Sequence, residues 1–232
     1  MITEGFPKSL PVIEDAAFVK ACCSYAAYKD HNSIAQFYHG VIDNRLYAII
    51  AKVSDYVSLW YDGGCDEELL SFLRLTGYSG IFTSLKTAVR LNLNINEKCL
   101  VFKAEPPFNT LSCTQKAQPR ELLNNLRQGL TIPNGDEFVA DVSFRVMHGC
   151  ADYVTHNGGG ALLFYQNDSA IINGIAVPKD RRGTGLGSTL IKMLFSKAKD
   201  KSVYACCVEN NKTFYIKNGF TLIGEAAYCE EE

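Results

Sequence analysis

Six residues, Arg182-Gly183-Thr184-Gly185-Leu186-Gly187, separate a strand-like run over 171–177 from a helical run that opens Ser188-Thr189-Leu190-Ile191. The helical run places Leu186, Leu190, Ile191, Leu194, Phe195 and Ala198 on one face. The glycines therefore sit in a strand-to-helix turn. Three glycines at alternate positions let the backbone turn tightly and let its N–H groups converge, while the helix start adds partial positive charge. The expectation is an anion cradle, most naturally for phosphate.

Spacing separates the kinds of phosphate loop. A Walker loop needs Gly-Lys-Ser/Thr, whereas Gly187 is followed by Ser188 and Thr189. A dinucleotide fingerprint needs a third glycine where Ser188 stands and an acidic residue where Val203 and Tyr204 stand. What is left is Arg-x-x-Gly-x-Gly after a strand. This resembles motif A of the GNAT superfamily of N-acetyltransferases, in which the loop holds the pyrophosphate of acetyl-CoA. The resemblance implies cofactor contacts for Arg182, Gly183, Thr184, Gly185, Leu186, Gly187 and Ser188.

A second stretch, Asn211-Lys212-Thr213-Phe214-Tyr215-Ile216-Lys217-Asn218-Gly219-Phe220, looks like motif B of the same superfamily. By that resemblance Tyr215 protonates the departing CoA thiolate and Asn211 meets the pantetheine arm. A phenol of pKa ~10 beside a thiolate of ~8.5 suits the transfer. Val177 ends the strand before the loop, where family members splay two parallel strands apart. Its N–H is then expected to stabilise the oxyanion, with Ile175 among the backbone groups that pair with pantetheine. The general base carries no comparable signature. Glu209, just past a strand over 203–208, is the best placed carboxylate, and it also suits a helix start. His148 and His156 are reserves, while Arg145, Asp136 and Glu137 either line the acceptor cleft or face solvent.

The chain in order reads as an α+β (α/β) protein. A helical pattern within 10–28, broken by Asp30-His31-Asn32, precedes strands over 35–42, 45–52 and 56–61. A helix opening at Asp66-Glu67-Glu68 and stopping at Gly77, a strand over 78–83, a short helix over 85–91 and a strand over 98–103 follow. Prolines and polar residues mark 106–119 as a linker. Helices over 121–130 and 138–148, strands over 153–156, 160–165 and 169–177, the loop and its helix, and strands over 203–208 and 220–227 complete the chain. The two halves repeat one order of elements. The expectation is two tandem acyl-CoA N-acyltransferase-like lobes, 1–105 and 120–232, each a mixed, mostly antiparallel sheet flanked by helices. The first has Asp62-Gly63-Gly64-Cys65-Asp66-Glu67 where a phosphate loop should be, and its carboxylates would repel pyrophosphate. One cofactor per chain is the corollary.

Composition excludes several other classes. A formal net charge of -2 with scattered basic residues gives no attraction to nucleic acid. No run approaches the ~20 apolar residues of a membrane span, and the amino terminus lacks a basic n-region and an apolar h-region. Nine cysteines, mostly within apolar runs, read as reduced thiols of a cytoplasmic protein. Cys206 and Cys207 are strand-core residues on this reading. No Cys-x-x-Cys pair or histidine cluster suggests a metal. The sequence thus predicts transfer of the acetyl group of acetyl-CoA to a primary amine, a small molecule or a peptide terminus, by direct attack in a ternary complex. An acyl-CoA-binding regulatory module, a non-enzymatic interaction scaffold and a transferase of other acyl groups stay open. Neither the acceptor nor the oligomeric state is written in a motif.

Overall fold

The computed structural model describes residues 1–31, 33–112 and 117–231. Asn32, within the expected helix break, and residues 113–116 of the expected linker lie outside the described residues. The fold class is α+β, as expected. The chain divides into two compact units: Met1–Val101, Cys206–Lys212 and Leu222–Glu232 form the first, Phe102–Ala205 and Thr213–Thr221 the second.

In the first unit, β1 (Ile2–Glu4), β2 (Ala35–Ile42), β3 (Arg45–Val53) and β4 (Tyr56–Tyr61) pair antiparallel in sequence order. The β2–β3 turn is Asp43-Asn44, both at positive φ, the turn that matches the twist of a tight hairpin. Next, β4 pairs parallel with β5 (Gly80–Ser84) through the crossover helix α2 (Asp66–Thr76). Gly77 ends α2 at φ 63. A short helix, α3 (Leu85–Arg90), leads to β6 (Asn94–Ala104). The last strand of the expected second lobe, β11 (Thr221–Glu230), pairs antiparallel with β5, Ala226 against Ser84 and Glu230 against Gly80. Its Ala227 and Cys229 join Tyr47, Ile50, Leu59, Leu69, Leu73 and Ile81 in the core of the first unit. Helix α1 (Ala16–Tyr28) starts where Asp15 accepts from the N–H groups of Ala17 and Phe18, at 2.8 and 3.0 Å. Such a cap contributes about 1 kcal/mol.

The second unit is built on β7 (Ala151–His156), β8 (Gly159–Tyr165), β9 (Ser169–Ala176) and β10 (Ser202–Cys207), the first three antiparallel and β9–β10 parallel. Asn157-Gly158, again both at positive φ, turn β7 into β8. Successive residues of β8 face opposite sides, and the two glycines at its start show what covers each. A Cβ at Gly159 would meet Leu190 at 3.0 Å, whereas one at Gly160 would meet Asn125 and Leu122 at 3.1 and 3.2 Å. Thus α6 (Leu186–Ala198) covers one face and α4 (Pro119–Leu126) the other. Burying Leu122, Leu190, Ile191 and Leu194, each fully inaccessible, contributes about 1.5–3 kcal/mol apiece. Helix α5 (Gly135–Met147) opens on a reciprocal cap, in which Asn134 and Glu137 exchange hydrogen bonds of 3.0 and 3.2 Å. The described part of the expected linker is docked: Phe108 stacks on Phe195 at 4.2 Å, and the Leu111 N–H donates to the Lys192 carbonyl at 3.1 Å.

Candidate functional site

The site grows from the end of β9. Its parallel ladder with β10 runs from Ser169↔Ser202 to Ile172↔Ala205, yet β9 continues to Ala176. Toward β8 the register shifts, Leu163 opposite Ile172 but Leu162 opposite Gly174, so Asn173 is an extra residue that bends the strand. Beyond the last parallel rung, Gly174–Ala176 continue β9 without a rung to β10. Ile175 lies in this stretch and Val177 follows it.

From Val177 the chain enters a 3-10 turn, Lys179–Arg181, closed by the Arg181 N–H on the Pro178 carbonyl at 3.0 Å. Gly183 (φ 78) and Gly185 (φ 88) are left-handed, which glycine adopts without steric cost. Gly185 is the N-cap of α6, and no side chain caps the helix. The first-turn amides of Leu186, Gly187 and Ser188 are donors the helix itself cannot satisfy, and with the dipole they make an anion site. Arg182 curls back so that its Nε donates to the Val177 carbonyl at 3.4 Å, tying the loop to the strand end. The Thr184 hydroxyl donates to the Arg181 carbonyl at 2.7 Å. Gly187 has a different reason to be glycine. A Cβ there would lie 2.9 Å from the Phe214 ring and 3.6 Å from Val177 Cγ2. The third glycine thus serves close packing, not the turn.

Tyr215 sits in α7 (Lys212–Lys217) and is 3% exposed. Its ring stacks on Phe102 at 5.4 Å and meets Phe214 and Phe220 edge-on at 5.1 and 5.3 Å. The Gly219-Phe220 pair explains this box. Gly219, at φ 87, ends α7, and the Phe220 N–H donates to the Tyr215 carbonyl at 3.1 Å, folding Phe220 back onto the tyrosine.

In the second unit the structure therefore assembles Val177, the loop, Gly187, Phe214 and Tyr215. Glu209 and Asn211 are counted with the first unit, in a 3-10 turn, Glu209–Asn211. Glu209 is exposed and pairs with Lys212 at 3.2 Å. Among the reserves, His148 caps the end of α5, its Nδ1 2.8 Å from the Phe144 carbonyl. Arg145 is buried, bonded to Asp141 at 2.8 Å and lying over Phe164 at 4.2 Å, and Asp136 pairs with Arg120 at 3.0 Å. Arg145 is therefore a packing residue, while Asp136 and Glu137 are exposed at the start of α5, the solvent-facing one of the two alternatives. His156 lines a pocket of about 130 Å³ with Asn157, Arg181, Thr184, Leu186 and Thr189, on the flank of the loop. Sequence reading did not foresee that pocket or the place of Phe214. The spacing of Gly187 from the turn glycines is the one signal that bears on Phe214.

The matching place in the first unit is filled by its own side chains. Asp66, at the start of α2, accepts from the Tyr61 hydroxyl and from Arg90 Nε at 2.9 and 3.0 Å, and Asp62 pairs with Arg45 at 3.2 Å. The hydrogen bonds from Tyr61 and Arg90 hold the Asp66 carboxyl below its usual range, while burial and Asp66 push the Tyr61 phenol up to about 12. Because the folded pKa of Asp66 is depressed, its stabilisation is present above the unfolded value of ~3.9 and is lost as pH falls through the folded one. Asp66→Asn is expected to be less stable than the parent at about pH 7, with the gap closing below about pH 4. Urea midpoints at several pH values check this, and a gap independent of pH would refute it.

Residues 134–222 match the family model described as an acetyltransferase (GNAT) domain. Among solved structures, a putative GNAT-family acetyltransferase from Novosphingobium aromaticivorans superposes with a TM-score of 0.59 at 13% identity, covering 94% of this chain and 100% of its own. A GCN5-related N-acetyltransferase from Sphaerobacter thermophilus gives 0.56 at 11% identity, with coverage of 93% and 91%. A tandem GNAT protein from the clavulanic acid biosynthesis pathway gives 0.50 at 11% identity, with 84% and 81%. These similarities are of fold. No curated protein matches the sequence. Among the described residues, no group of three or more His, Cys, Asp or Glu is placed to hold a metal ion, and no helix is long and apolar enough to cross a membrane.

Proposed function

We propose that the chain is a member of the GNAT superfamily and an acetyl-CoA-dependent N-acetyltransferase acting on a primary amine; the match of residues 134–222 to a GNAT domain model supports the family. The observation that carries the proposal is the strand end that outruns its parallel partner and feeds a glycine loop and an uncapped helix. Acetyl-CoA is the acyl donor substrate, and the residues present fit it. The amides of Leu186, Gly187 and Ser188, with Arg182, Gly183, Thr184 and Gly185, would receive its pyrophosphate. Ile175 and its neighbours would pair with the pantetheine arm. The Val177 N–H would donate to the oxygen that gains charge as the amine attacks, and Tyr215 would give its proton to the sulfur that leaves as CoA. Asn211 and Glu209 would act at the pantetheine arm and as base, Glu209 directly or through water. The acceptor class proposed is a small-molecule amine or a peptide terminus, in the cytoplasm.

We place this activity in a carboxy-terminal lobe, 120–232, joined by 106–119 to an amino-terminal lobe, 1–105, that holds no cofactor. The Asp66–Arg90 pair and the Asp62 carboxylate support the second half of that statement, since an anion would have to displace them. Thiol release from acetyl-CoA with a panel of polyamines, aminoglycosides, amino acids and peptides tests the reaction. Turnover with at least one amine, about one acetyl-CoA bound per chain, and loss of both in Arg182→Ala/Gly185→Val are expected. Binding without turnover across the panel would favour a regulatory module, and no binding would favour a scaffold. Two sites per chain would overturn the assignment of the first lobe.

A further inference from the structure

The pocket on the flank of the glycine loop holds polar groups that the transfer chemistry leaves unused. Its walls come from two elements of the second unit: His156 and Asn157 from the β7–β8 hairpin, and Arg181, Thr184, Leu186 and Thr189 from the loop and the start of α6. The space between them is about 130 Å³. The hairpin wall is braced from behind. Asn125 Nδ2 donates to the Gly159 carbonyl at 3.2 Å, and Gln128 Nε2 to the Gly158 carbonyl at 3.3 Å. A Cβ on Gly158 would stand 3.3 Å from the Pro178 ring, so the hairpin tip also packs against the residue that precedes the 3-10 turn.

The lining suits an anion. None of its residues is a carboxylate, and Leu186 alone has an apolar side chain. The Thr184 and Thr189 hydroxyls donate to the Arg181 and Gly185 carbonyls at 2.7 and 3.3 Å, which leaves the nitrogens of Arg181, Asn157 and His156 as the side-chain donors of the pocket. Asn157 Nδ2 lies 3.1 Å from His156 Nε2, so amide and imidazole hold each other at the hairpin tip. The segment that supplies Arg181 carries Lys179, Arg181 and Arg182 against one carboxylate, Asp180. Asp180 comes no closer than 3.7 Å to Arg181 Nε, with both side chains exposed, a pair too weak to cancel the guanidinium. Arg182 is turned away to the Val177 carbonyl. The two adjacent arginines therefore serve different places.

On the acetyl-CoA reading of the loop, on which this rests, we propose that the pocket is a second phosphate subsite that takes the phosphate monoester on the ribose of the acyl donor. Arg181 and His156 are then specificity residues, which make the chain prefer CoA and its thioesters to their dephospho counterparts. Two observations lead to the monoester. The pocket shares Thr184 and Leu186 with the cradle assigned to the pyrophosphate, so a group that enters it is joined to that pyrophosphate by no more than the sugar. A monoester also carries close to two negative charges at neutral pH, about twice the charge of each phosphate in the pyrophosphate bridge, and it presents three oxygens to a guanidinium fork. It is the part of the donor that gains most from a cationic pocket without carboxylates.

Calorimetric titration of the full-length chain with CoA and with dephospho-CoA tests this without turnover. The parent should bind dephospho-CoA about 10- to 100-fold more weakly than CoA, the ordinary worth of hydrogen bonds to a charged group. Arg181→Gln and His156→Gln should each weaken CoA severalfold and leave dephospho-CoA unchanged, and the double variant should bring the two ligands to nearly equal affinity. The comparison within the parent needs no variant, so a misfolded double variant leaves the test intact. Equal affinity of the parent for both ligands would overturn the subsite and leave the donor reading of the loop standing. A preference for CoA that survives intact in a folded double variant would place the monoester elsewhere and likewise overturn it. Failure of the parent to bind either ligand would sink the donor reading itself, and the subsite with it.

Discussion

Tyr215→Phe is expected to lower kcat about 10²- to 10⁴-fold, the usual worth of a positioned proton donor, while leaving acetyl-CoA binding unchanged. The substitution isolates the hydroxyl because the ring is held by contacts that phenylalanine keeps, the stack on Phe102 and the edges of Phe214 and Phe220. The backbone bond from Phe220 to the Tyr215 carbonyl is also retained. Tyr215→Ala removes the ring as well, and truncating a buried aromatic costs about 3–5 kcal/mol. The alanine variant should therefore lose stability together with activity, and the phenylalanine variant activity alone. Turnover at saturating acetyl-CoA, calorimetric binding and thermal melts separate the two. Unchanged turnover in Tyr215→Phe would take the phenol out of the mechanism.

The fold was legible where short-range chemistry decides it. Asp43-Asn44 and Asn157-Gly158 mark hairpins because few residues tolerate positive φ, and the runs between them alternate with a period of two. Helix α6 was legible from its apolar stripe and the glycines before it. Long-range pairing was not. Nothing in residues 221–230 says that β11 pairs with β5, because any apolar strand satisfies an open edge and the choice rests on where the preceding elements deliver it. At the site, the loop could be read because its conformational demand falls on glycine. The bases could not, because an exposed carboxylate such as Glu209, paired with Lys212, has the same local sequence whether it caps a helix or takes a proton. Arg145 shows the converse, a charge whose cleft-facing role was one expectation and whose burial against Asp141 and Phe164 only packing could reveal.

Two of the loop glycines, Gly185 and Gly187, make different physical demands, and substitutions should separate them. At Gly185, φ is 88 and nothing lies within 4 Å of an added Cβ, so alanine meets only the cost of a left-handed backbone. That cost is about 1–2 kcal/mol, a factor of about 5–30 in acetyl-CoA affinity if the loop must hold this shape to bind. At Gly187 the backbone is helical, and alanine there gains about 0.8–1 kcal/mol of helix propensity over glycine. Its methyl, however, would stand 2.9 Å from the Phe214 ring, closer than carbon atoms approach. Packing outweighs propensity once the side chain grows, because Phe214 is itself wedged against Tyr215. Gly187→Leu is therefore expected to weaken acetyl-CoA binding about 100-fold, the upper end of the ~1–3 kcal/mol that overpacking costs, and to lower kcat by displacing Tyr215. Gly187→Ala should bind severalfold more weakly while melting within a few degrees of the parent. Calorimetry and melts on the three variants give the order Gly187→Leu, Gly185→Ala, Gly187→Ala in lost affinity. Near-parental binding by Gly187→Leu would mean that the α6–Phe214 approach plays no part in holding the donor, and the close-packing role of the third glycine would fall with it.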